Sequence, residues 1–297
     1  MPSAPPLVTI GLPVYNGETF VARTIQSLLA QTLGDFEILV SDNASTDGTV
    51  PLVRRFAESD PRIRLFEQPS NRGVARNWNF VARQARGRYF KWSSASDLYA
   101  PNFLATCVDA LEQAPDAALA FTWTTYIDDG DREIGRSDRD FDLTDEDPVG
   151  RFVQICVRLS INNALQGVFR TDLVNRTRLV RNYPAGDLVF MSEAALRGKF
   201  VLVPQRLTLR RASPEHWTAN REPGATERMF WPSGSPRLRI IHIRRHVDYI
   251  AAALGAPLPA RDRLRALIFT LKHAYWSRAA LGADLRQAFL GRGAHPG

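Results

Sequence analysis

The sequence predicts an α/β protein: a mostly parallel, mixed sheet flanked by helices, followed by a helical C-terminal extension. Two observations lead there. Short apolar runs at residues 8–12, 36–40 and 63–66 alternate with stretches whose apolar residues recur every three or four positions. The links between them are short, the pattern of parallel strands joined by right-handed crossovers. A third observation concerns chemistry: strands end in small polar residues and single carboxylates, at the sheet edge where α/β proteins bind ligands.

In chain order, residues 8–12 read as a buried strand that breaks at Pro13-Val14-Tyr15-Asn16-Gly17. Val21, Ile25, Leu28 and Leu29 then mark a helix. A second strand, 36–40, runs into Ser41-Asp42-Asn43-Ala44-Ser45-Thr46-Asp47-Gly48-Thr49, and Leu52, Val53 and Phe56 form the inward face of the next helix. The strand at 63–66 leads through Asn71-Arg72-Gly73 into a helix over 74–86. Next comes Arg88-Tyr89-Phe90-Lys91-Trp92-Ser93-Ser94-Ala95-Ser96-Asp97, a short aromatic strand ending in small polar residues and one carboxylate, with Pro101 suited to the first turn of a following helix. That helix presents Leu104, Cys107, Val108 and Leu111. Residues 117–127 form a strand, and the acidic stretch 128–147 is a flap or a poorly ordered loop. Helices are expected at 152–159 and 173–180, flanking 162–170, and an amphipathic helix begins at Gly186-Asp187 with Leu188, Met191, Ala195 and Leu196 on its apolar side. Gly198 closes it, before a last short strand at 200–204.

Composition narrows the class. A 297-residue chain with 44% apolar residues can bury a full core. It has no run of eighteen apolar residues, and Met1-Pro2-Ser3-Ala4-Pro5-Pro6 lacks the basic and apolar regions of a signal peptide, so a cytoplasmic location is expected. Cys107 and Cys156 sit in apolar patterns without metal-ligand spacing and read as reduced, buried thiols. The net charge of +7 is uneven: residues 236–297 hold eleven Lys or Arg against three Asp, which leaves the rest near −1. The basicity belongs to the tail, and the main domain shows no nucleic-acid recognition motif.

Taken in order, these residues resemble the family 2 glycosyltransferases, nucleotide-diphospho-sugar transferases with the Rossmann-like fold called GT-A. The resemblance rests on Pro13-Val14-Tyr15-Asn16, on residues 41–49, on Asn71-Arg72-Gly73 with Asn77 and Asn79, on Asp97 before Leu98-Tyr99-Ala100-Pro101, and on Asp187 ahead of Gly198. It implies a GT-A domain over about residues 1–220, its nucleotide-sugar half about 1–115 and its acceptor half about 116–220, with 221–297 as a basic helical extension. Pro13, Tyr15 and Asn16 would shape the base and ribose pocket, and Asp42 would accept hydrogen bonds from the base. A carboxylate at a strand's carboxyl edge suits that task; Asp47 in the same string reads as a helix cap. Asn71, Gly73, Arg76 and Asn77 would lie beside the nucleotide diphosphate, Arg76 being either a phosphate partner or a solvated surface cation.

The sequence departs from the family pattern in two places. Where the family carries two or three acids that hold Mg²⁺ or Mn²⁺, this chain has Ser94-Ala95-Ser96-Asp97, leaving Asp97 as a single, weakened metal ligand. Where the family has R-x-H-P, Arg211 is followed by Ala212 and Ser213, with His216 three residues further on. Arg211 is still expected to meet the diphosphate.

The resemblance implies inverting displacement at the anomeric carbon of a nucleotide sugar, with Asp187 as the base that deprotonates the acceptor hydroxyl. Asp187 is also placed to be a helix N-cap. The acceptor would be a saccharide or a lipid-linked molecule of the cell envelope. A non-catalytic sugar-nucleotide binder is the rival reading, motivated by the missing acids. In the tail, Leu264, Leu267, Ile268, Leu271 and Tyr275 recur at helical spacing with Arg261, Arg265 and Lys272 at the flanks. Such a helix either lies on an anionic membrane surface, peripherally at its inner face, or packs its apolar side on the domain.

Overall fold

The computed structural model describes residues 4–212, 225–234 and 240–290. Four strands, β1 (Val8–Val14), β2 (Phe36–Asp42), β3 (Ile63–Glu67) and β4 (Tyr89–Trp92), lie parallel in the order β3-β2-β1-β4. Helices α1 (Val21–Leu29), α2 (Thr49–Ser59) and α3 (Val74–Arg83) connect them. Every residue of β1 and β2 is buried, which explains why these runs are apolar without alternation. Pro13 is tolerated in a central strand for a local reason. Pairing of β1 with β4 ends at Gly11 opposite Trp92, so Pro13, two residues on and facing the same side, lacks an N–H where no partner strand continues.

Beyond β4 the sheet becomes mixed. The edge strand β5 (Leu98–Tyr99) and helix α4 (Phe103–Gln113) precede β6 (Ala117–Ile127), and β7 (Glu133–Arg136) forms a hairpin with β6. After α5 (Pro148–Arg158) and a 3₁₀ turn (Ala164–Gln166), β8 (Val168–Arg170) inserts antiparallel between β4 and β6. Helices α6 (Thr171–Asn175) and α7 (Gly186–Ala195) lead to β9 (Lys199–Arg211), parallel to β6 and antiparallel to β5.

Several expectations change. The acidic stretch 128–147 contains β7, a bridge from Leu143 to Phe200, and Asp147, whose carboxylate accepts the Val149 N–H to cap α5, so it is tied down along its length. The helix expected at 173–180 ends at Asn175, and a left-handed φ of 60° at Leu179 rules out its continuing to 180. The short strand expected at 200–204 runs for 13 residues, through Pro204, and carries Arg210 and Arg211 at its end. Strand β8 hides in a segment of mixed polarity. Helix α7 is buried nearly all round rather than amphipathic; Glu193 is accommodated because Arg178 pairs with it at 2.5 Å.

Two apolar layers sandwich the sheet. One is built from α1, α2 and α4 through Ile25, Leu28, Val53, Phe103 and Leu104; the other from α3 and α7 through Val81, Phe190, Met191 and Ala194. Trp92 anchors the second, with Phe90, Phe169 and Phe190 edge-on at 4.7, 5.6 and 5.0 Å. Both cysteines are free thiols, and burial pushes Cys107 up to about 12.

Helices α8 (Ala225–Phe230), α9 (Ile241–Gly255), α10 (Ala260–Trp276) and α11 (Arg278–Leu290) form the C-terminal extension. A third cluster, including Phe152, Val189, Tyr249, Ala252, Ala253 and Ala266, joins α9 and α10 to α5 and α7. Arg178 ties the same elements together by pairing with both Glu193 and Asp248. Among the described residues, no helix is long and apolar enough to cross a membrane.

Candidate active site

The loops after β1 and β2 are sewn to each other. Asn16, at a left-handed φ of 49°, donates its N–H to Ser45 Oγ and accepts the Thr46 N–H on its side-chain oxygen. The Gly17 N–H reaches Thr49 Oγ1, the Glu18 N–H reaches Asp47, and Glu18 accepts the Gly48 N–H in return. Asp47 also accepts the Thr49 N–H at the start of α2, although the N-cap position belongs to Gly48 and not to Asp47 as read from the sequence. Burial would raise the Asp47 carboxyl, but the bonds from Thr49 and Glu18 outweigh it and hold it low. Tyr15 stands 48% exposed above this seam.

Asp42 ends β2 within this framework. One carboxylate oxygen accepts the Ser45 N–H at 3.0 Å; the other is buried and has no partner among the described residues. An orphaned, buried carboxylate oxygen is costly unless something brings a donor to it. Nucleobase N–H groups are such donors.

The third predicted cluster divides. Asn77 is buried and its amide is committed: Nδ2 donates to the Ser41 carbonyl at 2.9 Å, and Oδ1 accepts Ser41 Oγ at 2.6 Å. Asn71 accepts from Asn43 Nδ2 and from the Gly73 N–H. Gly73 needs to be glycine, since its φ is 83° and a Cβ would come within 2.3 Å of the Phe230 carbonyl. The close approach that this glycine permits is thus made by the chain's own C-terminal segment. Arg76 is exposed, with no ion pair among the described residues.

Asp97 sits where β9 meets the 93–97 loop. It is buried, its Oδ1 accepts the Arg211 N–H at 3.0 Å, and its carbonyl accepts Thr24 Oγ1. Burial raises its carboxyl above the usual range, against the opposing pull of Arg210, the Arg211 N–H and Lys91. The Arg211 guanidinium is engaged away from open space. Its side chain is fully buried over the Phe20 ring and donates to the carbonyls of Ser96 and Asp128 and to the Asp131 carboxylate. It therefore clasps the acidic stretch to the Asp97 loop. Arg210, which sequence reasoning passed over for its neighbour, bonds Asn163 Oδ1 at 2.6 Å and has no carboxylate partner among the described residues. Ser213 and His216 lie outside the described residues.

Beneath the loop, Lys91 is wholly buried, donating to the carbonyls of Trp92 and Gln166, with its ammonium 3.8 Å from the Tyr99 ring centroid. Burial lowers it to about 7. Gln166 extends this network, its side-chain oxygen accepting from Tyr99 Oη at 2.9 Å and from the Ser94 N–H at 3.3 Å. The signal for Lys91 was present in the sequence as a lone charge inside an aromatic strand.

Asp187 is half-buried in the first turn of α7. The N-cap position belongs to Ala185, at a left-handed φ of 64°, and no side chain caps this helix, so Asp187 is free of the structural duty it was also suited to. Its Oδ2 accepts Asn162 Nδ2 at 2.8 Å; Oδ1 has no partner among the described residues. Asn162 Oδ1 in turn accepts the Leu165 N–H of the 3₁₀ turn that carries Gln166. A continuous path of bonds thus runs from Asp187 through Asn162 and Gln166 to the Asp97 loop. The loop before Asp187 is tied to α3, since Asn79 exchanges two hydrogen bonds with the Val180 backbone. Beside that loop, Arg181, Asn182, Tyr183, Trp231, Arg244 and Asp248 line a cavity of about 390 Å³.

These donors do not fit a resident divalent cation. Mg²⁺ and Mn²⁺ call for near-octahedral oxygen sets, and the 94–97 loop offers two serine hydroxyls, bonded to each other at 3.1 Å, and one carboxylate already bonded to a backbone N–H. No group of three or more His, Cys, Asp or Glu able to hold a metal occurs among the described residues.

Comparison with known proteins agrees with this geometry. The chain is 32% identical to chondroitin synthase of Escherichia coli over 120 residues, 40% of this chain and 17% of that one. It is 30% identical over 121 residues to the putative teichuronic acid biosynthesis glycosyltransferase TuaG of Bacillus subtilis, 41% of this chain and 47% of the relative. The matched segment thus spans less than half the length of either. Among solved structures, S. aureus TarS 1–349 in complex with UDP superposes with a TM-score of 0.64 at 17% identity, covering 92% of this chain and 73% of that one. The mannosyltransferase PcManGT from Pyrobaculum calidifontis, in complex with GDP-Man and Mn²⁺, gives 0.53 at 20% identity, covering 97% and 87%. At these identities the structural likeness establishes the GT-A fold. The sequence model of Glycosyl transferase family 2 matches residues 9–166, more than half of the 297, and the chain belongs to that family.

Proposed function

We propose that the chain is an inverting glycosyltransferase that moves a sugar from a nucleoside-diphosphate donor to a hydroxyl of an envelope saccharide or glycolipid. The observation that carries this reading is Asp187: half-buried, released from capping, one oxygen steadied by Asn162 and the other without a partner among the described residues. A carboxylate held in this way can take the acceptor's proton as the new bond forms at the anomeric carbon, on the face opposite the departing diphosphate.

The donor's nucleoside lies along the seam between the β1 and β2 loops, its base N–H meeting the unpartnered oxygen of Asp42 and its rings against Pro13, Tyr15 and Asn16. UDP in one structural neighbour and GDP-Man in another support a nucleotide donor without choosing between them. Asn71, Gly73 and Asn77 hold the loop and helix beneath the nucleotide in place. Arg76 and Arg210 are the cations left to meet the diphosphate, while Arg211 acts by fixing Asp97 through its N–H. The bound Mn²⁺ of PcManGT supports Mg²⁺ or Mn²⁺ at Asp97, a cation that would come with the nucleotide and supply charge neutralisation; none of the steps above runs through it. The acceptor approaches beside Arg181, Trp231 and Arg244, where Asn182 has a buried oxygen without a partner among the described residues.

Titration with UDP, GDP and dTDP, each with and without Mn²⁺, followed by a donor panel read by NMR for the anomeric configuration of the product, tests this reading. Binding of one nucleotide and a product of inverted configuration are expected. A retained configuration, or no nucleotide binding, would overturn it, and tight binding without turnover on any donor would favour a non-catalytic sugar-nucleotide binder.

A further inference from the structure

Helix α10 docks with the wrong side for an ordinary surface helix. It packs against α9 and α5 through Ala266, Phe269, Thr270 and His273, while its larger aliphatic residues face out. Leu264, Ile268, Leu271 and Tyr275 are exposed by 58, 44, 64 and 65%. At 100° per residue these four fall within an arc of about 60°, opposite the packed face, in a stripe about 16 Å long. Trp276 follows at 61% exposure. Thus only Leu267, of the five apolar positions read in the tail, packs against the domain.

The stripe has a border of one sign. Arg261 and Lys272 flank it and Arg278 follows it; all three are exposed and carry no ion pair among the described residues. The acids Asp262 and Asp147 are both bonded to Arg265, at 2.8 and 2.7 Å. Arg278 lies over the Tyr275 ring at 4.7 Å, keeping a cation beside the aromatic end of the stripe. The next helix exposes Leu285 and Phe289, four residues apart on one face, while its Asp284 is buried against the Ile243 N–H.

We infer that the outward face of α10 is a docking surface for an anionic bilayer, on which the helix lies in the plane of the interface. Aliphatic side chains enter the acyl boundary, Tyr275 and Trp276 sit at headgroup level, and the bordering cations meet lipid phosphates. A second copy of the chain is the weaker occupant, because a two-fold contact through this stripe would bring its unpaired arginines and lysine together. The docking surface stands on α10 alone and does not require the transferase reading. If both hold, it brings the cleft to lipid-linked acceptors.

The test is flotation of the full chain with vesicles of phosphatidylcholine alone and of phosphatidylcholine with about one-third phosphatidylglycerol. Binding to the anionic vesicles, weakened by salt and accompanied by a blue shift of tryptophan emission, is expected. The variant Ile268→Ser/Leu271→Ser should lose at least about tenfold in partitioning. Lys272→Glu, which leaves the stripe intact, should lose roughly fivefold or more. All the substituted side chains are exposed, so circular dichroism and nucleotide titration should match the unaltered protein. No binding to anionic vesicles at low salt, or binding that survives both variants, overturns the inference. So does an unaltered protein that sediments as a dimer, ignores vesicles and becomes monomeric when the stripe is made polar.

Discussion

The proposed donor and acceptor sides of the site are built differently. On the donor side, backbone N–H groups of the β1 and β2 loops are met by the side chains of Asn16, Glu18, Ser45, Asp47 and Thr49, so each loop holds the other. On the acceptor side, Asp187 depends on one amide from a neighbouring segment and follows a left-handed Ala185 and a loop whose residues 181–183 line a cavity. A nucleotide presents the same rings and phosphates each time, which rewards a rigid frame. Acceptors differ in shape, and a base held by a short chain of contacts can be re-aimed by changing few residues. The lesson is that binding and chemistry should fail separately on the two sides.

The largest expected effect tests that separation. Asp187→Asn keeps the shape and the contact region of Asn162 but removes the proton acceptor, and should cut kcat about 10²–10⁴-fold, with the nucleotide Kd within a factor of about two. Steady-state transfer assays beside calorimetric titration read both quantities. If nucleotide affinity falls together with turnover, the two sides are not independent.

The converse substitution comes next. Asp42→Asn should weaken nucleotide binding about 10–100-fold, the loss of a charged acceptor at a buried hydrogen bond, and leave kcat at saturating donor nearly unchanged. Unaltered affinity would mean that the orphaned oxygen of Asp42 faces something other than the base.

How much of this was legible in the sequence follows the same divide. The donor side is local: strand, turn and helix start lie within ten residues of one another, and turn chemistry marks them, so the strand-end position of Asp42 and the turn around Asp47 could be read directly. Asp97 was legible as a strand-end carboxylate, but its bond to the Arg211 N–H spans more than a hundred positions. Arg211 misled for that reason; a guanidinium expected to be open to phosphate is enclosed by Phe20, Asp128 and Asp131. Asn162 and Gln166 carried no local signal, because their partners come from α7 and the Asp97 loop. In the tail the apolar spacing of α10 was plain, but which side packs was decided by the small residues Ala266 and Thr270, which no hydrophobic pattern favours.

A third prediction uses the interior of the donor side. Lys91 is lowered by burial to about 7 in the folded chain from an ordinary value near 10.5. Between those values the unfolded chain holds a proton that the folded one has released, so stability should rise with pH from about 7 to about 10.5, by at most about 1.4 kcal/mol per unit. Urea midpoints measured across that window should climb for the unaltered chain and flatten for Lys91→Met. Equal slopes would mean that the ammonium is retained, held by the Trp92 and Gln166 carbonyls and the Tyr99 ring.

The smallest effect belongs to the helices that back the acceptor side, and its pH window, on the acid side, separates them from Lys91. His246 bonds the His242 carbonyl through Nδ1 at 2.7 Å, so that nitrogen carries the hydrogen. Its Nε2, 3.0 Å from His273 Nδ1, is then the acceptor of the bond that joins α9 to α10. Both rings are neutral in this arrangement, and both are lowered by burial first; His273, with His246 and Arg245 adding to the effect, falls to about 4. Because the unfolded imidazoles bind protons from about 6.5 downward while the folded ones resist, stability should drop as pH falls from about 6.5 toward 4. His246 is buried and His273 is partly enclosed, and solvent screening at His273 holds the change to about 1 kcal/mol or less near pH 5.5. Hydrogen exchange, corrected for its intrinsic pH dependence, should show the amides of α9 and α10 opening more often at pH 5.5 than at pH 7.5 while those of β1 and β2 do not. His273→Gln, which can still donate to Nε2 but does not titrate, should remove most of the difference. If β1 and β2 open in step with α9 and α10, the extension and the sheet form one cooperative unit, and the softness assigned to the acceptor side has a different source.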